Sequence, residues 1–302
     1  MGLSEPEART DNWGRWGPED ERGAANLLTP EVLLAALGSA REGKLYELGL
    51  KIRRDGIPNV PYRSAPQRLT LINQSDEAML AAFGASGGVG CIEDVLMCGS
   101  HSVTHLDALS HVYADGRIYN GFGSEEATTH AGAGRCGIEK AGPIVTRGIL
   151  ADVAGEQGVA CLEPGQVIGL DEFEAALDAG GLEPRPGDAV LFRTGWLESF
   201  FANDGEVAEM QPGIGLDVAR ALAAADVTLV GADNTAVEAM PFDNDEFVTV
   251  HIELLVRRGI YLLEHLRLDR LAADGRREFL FAVAPLPFVG ATASPVNPFA
   301  IA

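Results

Sequence analysis

Four short apolar runs constrain this chain more than any other feature: "RGILADVA" (147–154), "GDAVLFRTGW" (187–196), "VTLVGAD" (227–233) and "GIYLLEHL" (259–266). Each is too short for an ordinary helix and rich in aliphatic residues, the signature of a strand buried in a core. Amphipathic helical stretches lie among them. "DEFEAALDAGG" (171–181) reads as a helix with Asp171 as N-cap and Gly180 as its stop. "GLDVARALAAAD" (215–226) and "VTVHIELLVRRG" (248–259) each read as a helix leading into a strand. The fold class is therefore mixed α/β, with an alternation too irregular for a Rossmann sheet or a barrel.

Upstream, "TPEVLLAALGSAREG" (29–43) predicts a helix with Thr29 as N-cap, Pro30 at its first position and Gly43 as its stop. "KLYELGLKI" (44–52) has strand character, and the Pro- and Gly-rich segment after it reads as irregular. "GCIEDVLMCGS" (90–100) predicts a further strand, and "FLFAVAPLPFVGATASPVNPFAIA" (279–302) closes the chain with strand and extended structure. The organisation expected is an N-terminal arm and helix over 1–40, able to cross to a neighbouring subunit, and a single domain over 41–302.

Composition narrows the function. A net charge of −21, spread along the chain, repels phosphate backbones and argues against a nucleic-acid partner. The four cysteines form no C-x-x-C pair and are expected to be reduced and mostly buried. The polar start "MGLSEPEARTDNWGRWG" does not resemble a signal peptide, and Pro6 stands where an N-myristoylation signal needs Ser or Thr. No apolar run reaches the length of a membrane span, so the expected location is the cytoplasm.

Chemistry concentrates in "HSVTHLDALSHVYADGRIYNG" (101–121). It holds His101, His105, Asp107 and His111 in a chain with only six histidines. A catalytic divalent ion needs about three protein donors and an open position. His101, His105 and Asp107 supply two imidazoles and a carboxylate. The "CGS" break and the β-branched Val103 and Thr104 place them on a strand end and tight loop. His111 could then move protons beside the ion. The same donors also suit a non-haem iron oxygenase triad or a non-catalytic metal-binding protein. G-x-S-x-G is absent, and the Gly-rich "GASGGVG" lacks the Lys-Ser/Thr of a phosphate loop.

Other residues carry weaker signals. "ADGRIYNG" predicts a turn at Asp115-Gly116 that would bring Tyr119 and Asn120 towards the cluster. With Trp13, Trp16 and Tyr113 these are candidate substrate contacts. His251 shares a helical face with Leu254 and Leu255, which by spacing reads as a packed core histidine. Glu264 ends an apolar run, either as a site carboxylate or as a cap for "HLRLDRL". His265 reads as structural and His130 as a surface-loop residue.

The histidine motif resembles the H-x-G-T-H-x-D-x-P-x-H signature of the cyclase family that includes bacterial kynurenine formamidase and isatin hydrolase. "LFRTGW", "VGADNTAVE", "HIELLVRRGIYLLEHL" and "APLPFVGATASPVNPFAI" resemble that family in the same order, over roughly residues 40 to 302. "NWGRWGPEDERGAANLLTPE" is similar to the arm of a longer-chain branch. The resemblance implies a swivelling β/β/α fold and metal-dependent hydrolysis of a small amide or lactone. The expected substrate is a cyclic or N-formyl aryl amide cleaved at its C–N bond. His101, His105 and Asp107 would hold one Mn²⁺ or Zn²⁺ per subunit, and His111 would be the catalytic acid/base. His251 and Glu264 would hold a second metal or line the pocket. Assembly as a homodimer or homotetramer is expected, with the arm over a neighbour's site. Four positions depart from the family pattern: Val103 for Gly, Leu109 for Pro, Ala236 for Ser and Glu238 for Asp.

Overall fold

The computed structural model describes residues 10–60, 62–242 and 246–302. Its centre is a nine-stranded sheet. The strands in chain order are β1 (Leu45–Glu47), β2 (His105–Asp107), β3 (Ile144–Asp152), β4 (Ala189–Arg193), β5 (Leu229–Ala232), β6 (Tyr261–Glu264), β7 (Glu278–Val283), β8 (Ala293–Pro295) and β9 (Phe299–Ile301). Across the sheet the order is β1-β9-β7-β3-β4-β5-β6-β2-β8. The four apolar runs are β3 to β6, side by side and parallel. Parallel neighbours need crossover connections. Helices α1 (Pro30–Leu37), α2 (Leu170–Asp178), α3 (Trp196–Ala202), α4 (Leu216–Ala224) and α5 (Thr249–His251) surround or join them, and α5 runs on as a π-helical turn to Arg258. β5 and β6 are buried throughout, which is why their sequences show no polar alternation. α4 buries Val218, Ala219, Leu222 and Ala223 and leaves its other side to solvent. Each fully buried Leu or Val contributes about 1.5–3 kcal/mol.

Several boundaries differ from the sequence reading. Thr29 does cap α1, accepting from Val32 N–H at 3.3 Å, and Pro30 is its first residue. The helix stops at Leu37, however, because beyond Gly38 the backbone N–H groups of Glu42 and Lys44 bond to the carbonyl of Ala302. α2 begins after Gly169, whose N–H donates to Glu172 at 2.8 Å. Asp171 therefore lies inside the first turn, exposed, and the helix ends at Asp178, capped by Ala179. Strand 44–52 shrinks to the three residues of β1. The strand expected over 90–100 forms as Glu93–Met97, but it pairs with Gln67–Ile72 in a hairpin outside the main sheet. Cys136 is buried, Cys161 half-buried, and Cys91 and Cys98 are exposed, so the thiols are less buried than expected.

The described part of the N-terminal arm packs along the rest of the same chain. Asn12 N–H donates to the carbonyl of Arg257 at 2.8 Å, and Arg15 forms a bidentate pair with Asp226. Ala24 N–H donates to Gly259 O at 2.8 Å. Residues 1–9 lie outside the described residues. Among the described residues no helix is long and apolar enough to cross a membrane.

Candidate metal centre

The site grows out of the way β2 meets β6. Alternate strand residues share a face, so His105 and Asp107 point together while Leu106 points into the core. The antiparallel register sets Glu264 opposite His105. His105 Nε2 comes within 3.1 Å of Glu264 Oε2 and 3.5 Å of Asp107 Oδ1. The Nδ1 of His105 is 2.6 Å from the Val103 carbonyl, to which it donates, and this fixes Nε2 as the inward atom.

His101 sits in the turn before β2, with Nδ1 2.9 Å from Asp107 Oδ1 and Nε2 3.3 Å from Thr292 Oγ1. After β2, a tight turn closed by His111 N–H to Ala108 O at 2.9 Å folds His111 back onto His101. The two rings lie 4.0 Å apart, centre to centre. From the far side α5 presents His251, whose Nε2 is 3.5 Å from Glu264 Oε1 and 3.9 Å from Asp107 Oδ2. Its Nδ1 bonds to Glu238, which also accepts the N–H groups of Val250 and His251 at 3.3 Å each.

Among the described residues, both oxygens of the fully buried Asp107, His105 Nε2 and His101 Nδ1 have no hydrogen-bond partner of acceptable geometry. Unsatisfied buried charge costs several kcal/mol. These atoms converge in two groups, His101–Asp107–His111 and His105–Asp107–Glu264, each with its ligand-capable atoms within 4.8 Å of one another. The sequence spacing assigned His101, His105 and Asp107 to a single ion and kept His111 outside. The structure instead divides the two histidines between groups that share Asp107, and brings His111 into the first.

The same packing sets the protonation preferences. Burial lowers His111 to about 4, leaving a neutral imidazole at pH 7. His251 moves the other way: burial disfavours its charged form, but the carboxylates of Glu238 and Glu264 prevail and raise it to about 10. Burial also opposes ionisation of Asp107, and the His111 and His101 rings overcome it, bringing the carboxyl to about 2. His265 is lowered to about 3 by burial. Its ring nitrogens face Thr235 Oγ1 at 3.2 Å and Val103 O at 3.4 Å, a bonded core histidine. His130 is exposed.

Four of the five candidate substrate contacts serve the arm instead. The indole N–H of Trp13 donates to Val256 O at 2.8 Å, and its ring lies against Gly121. Trp16 packs on the core with Arg15 4.6 Å above its ring. Tyr119 is fully buried and donates to Asp20 at 2.9 Å. Asn120, in the left-handed region, accepts from Gly14 N–H and donates to the carbonyls of Gly17, Pro18 and Asp20. The Asp115-Gly116 turn forms, but the chain beyond it runs under the arm rather than into the site. Only Tyr113 lines a cavity beside His111.

Sequence reasoning singled out neither Ser110 nor Thr292, and it noted Glu238 only as a departure from the family pattern. Glu238 had one available signal, a carboxylate inside the apolar "TAVEAM". Thr292 and Ser110 had none. Val103 and Leu109 are both buried, so the two departures nearest the ligands fill core space.

A mixed α/β sheet that gathers histidines and carboxylates around one buried aspartate defines a class of candidate metal centres. The family described as Putative cyclase matches residues 46–239. A solved structure described as a novel cyclase shares 32% identity over 99% of each chain, with a TM-score of 0.87. The chain belongs to this cyclase family. Isatin hydrolase A from Ralstonia solanacearum is 17% identical over 90% of this chain and 98% of its own, with a TM-score of 0.63. A structure described as a "predicted metal-dependent hydrolase" from Bacillus stearothermophilus is 22% identical over 85% and 97%, with a TM-score of 0.52. At those identities the likeness shows the fold. No curated protein matches the chain.

Proposed function

We propose that the chain is a metal-dependent hydrolase of small acyl compounds, cleaving the C–N bond of a cyclic or N-formyl aryl amide. A lactone of similar size is the variant reading. One observation carries this: the unpaired buried atoms of His101 and His105 stand in two donor groups that share the unpaired oxygens of Asp107. Asp107 and Glu264 bring two buried carboxylates there, a charge that a divalent cation balances, and mixed imidazole and carboxylate donors suit Zn²⁺ or Mn²⁺. Asp107 would be the shared ligand, joined by His105 and Glu264 in one group and by His101 in the other. His251, 3.5 Å from Glu264, would complete a second ion's ligands or shape the pocket. A divalent ion bound there supplies Lewis acidity at the acyl oxygen and activates water near neutral pH.

The chain's own groups do the rest. His111, neutral at pH 7, accepts the proton of the attacking water and returns it to the leaving nitrogen. Glu238 fixes the orientation of His251 through Nδ1. The dense donor set around Asp107 exceeds the two histidines and one carboxylate of an oxygenase triad, which favours hydrolysis. The fold neighbours named as isatin hydrolases support the same reading. Homodimer or homotetramer assembly belongs to this proposal. The exposed Leu69, Leu71 and Met97 of the outlying two-stranded ribbon offer apolar surface for it, and light scattering checks it.

The test is metal analysis of the purified protein, then hydrolysis of isatin, formanilide and simple lactones with the metal found. Bound Mn²⁺ or Zn²⁺ with turnover of at least one of them is expected. A protein that binds no divalent ion, or that consumes O₂ with its substrate, would contradict the proposal.

A further inference from the structure

A cavity of about 260 Å³ opens beside the candidate centre. His111 and Thr292 belong to both: each lines the cavity, and each touches His101. Ser110 is the next wall. Its side chain is more than nine-tenths buried and, among the described residues, its hydroxyl has no hydrogen-bond partner. A buried hydroxyl without a partner costs about 1–3 kcal/mol, so it marks a place where a polar atom of something else belongs. Ile118 and Ala133 add apolar surface, and Tyr113 stands at the exposed side. The volume has room for one ring and its substituents.

The charges around this cavity are already committed. Its one guanidinium, Arg135, meets Glu126 at 3.8 Å, Glu19 at 3.0 Å and Glu21 at 3.4 Å, and lies 4.7 Å over the Phe122 ring. Three carboxylates surround one cation, in a chain of net charge −21. An anionic ligand would find no free cation among these groups and would face a negative wall.

We propose that this cavity is the substrate pocket, that the Ser110 hydroxyl is its polar anchor, and that it takes uncharged single-ring acyl compounds and rejects those bearing a carboxylate or other anionic group. This rests on the hydrolase reading and narrows its substrate class. Ser110 and the proton-moving His111 line the same cavity, so a ligand oxygen held by the hydroxyl sits within the space that imidazole faces.

The test measures binding to the metal-loaded protein by calorimetry, with benzamide as the neutral probe and 4-carbamoylbenzenesulfonate as its anionic counterpart. Sulfonate is a weak metal ligand, so the comparison reads the cavity wall. Benzamide is expected to bind about tenfold or more tightly than the sulfonate. Ser110→Ala is expected to weaken benzamide about tenfold, the size of one lost hydrogen bond, with a melting temperature in the absence of ligand that is the same or higher, and Ser110→Thr to recover part of the loss. Equal binding of the two probes, no benzamide binding, or wild-type affinity in Ser110→Ala would each overturn the inference. A protein that binds benzamide as expected yet hydrolyses no acyl compound would keep the pocket and remove the hydrolase reading.

Discussion

Two aspartates, Asp107 and Asp233, are equally buried and sit at comparable strand ends, but their surroundings differ completely. Asp233, just past β5, accepts from Thr194 N–H at 3.0 and 3.1 Å, from Thr194 Oγ1 at 2.7 Å and from Gly195 N–H at 2.8 Å. It staples the end of β4 to the start of α3. Gly195 has to be glycine there, since its φ is +79° and a Cβ would come within 2.0 Å of Ala160 O. Asp107 has histidines and a carboxylate around it, yet neither of its oxygens is hydrogen-bonded among the described residues. Burial therefore does not separate structural from functional carboxylates in this protein. Saturation does: the fold satisfies Asp233 internally and leaves Asp107 for a ligand.

Substitutions break or sharpen that contrast. The largest effect is expected from Asp107→Ala. Metal content should collapse and hydrolysis should fall by about 10³-fold or more, while in chelator the stability lost is smaller than in Asp233→Ala, because Asp107 gives up no hydrogen bonds to the fold. A loss in chelator as large as that of Asp233→Ala would place Asp107 among the structural groups. His111→Ala comes next, with a loss in kcat of about 10²–10⁴-fold and metal content unchanged. If the metal leaves with the imidazole, His111 is a ligand, as its place beside His101 and Asp107 allows.

Asp233→Ala should show the mirror image of Asp107→Ala. It orphans buried donors and should cost about 3 kcal/mol of stability in denaturant titration, with metal binding by the folded fraction intact. The smallest effect is expected from Glu238→Gln, which weakens the fixing of His251. Metal affinity should drop about 10- to 100-fold for any ion that His251 holds, and should stay at the wild-type value if His251 only lines the pocket.

The same contrast explains what could be read from the sequence. β3 to β6 were visible because strands buried on both faces leave unbroken apolar runs. His101, His105, Asp107 and His111 were visible because one strand and its flanking turns hold them within eleven positions. His251 sits in apolar local context and reads there as a core histidine, so its placement by the site came only from the family resemblance, while Glu264 at the end of an apolar run read equally as a site carboxylate or a cap. Ser110 and Thr292 are defined by contacts across the fold, such as Thr292 to His101, and local sequence carries no trace of those. Trp13, Trp16, Tyr119 and Asn120 misled for the converse reason. Tyr119 and Asn120 follow the motif in sequence, but they are spent on holding the arm to which Trp13 and Trp16 belong, and proximity along the chain did not place them at the site.

The central claim is that the atoms left unpaired around Asp107 belong to a metal ion. The direct measurement is calorimetric unfolding of chelated wild type and Asp107→Ala, each with and without added Mn²⁺ or Zn²⁺. The wild type should gain about 2.7 kcal/mol at an ion concentration 100-fold above its dissociation constant, and Asp107→Ala should gain nothing. An equal gain in both proteins, or none in either, would contradict it.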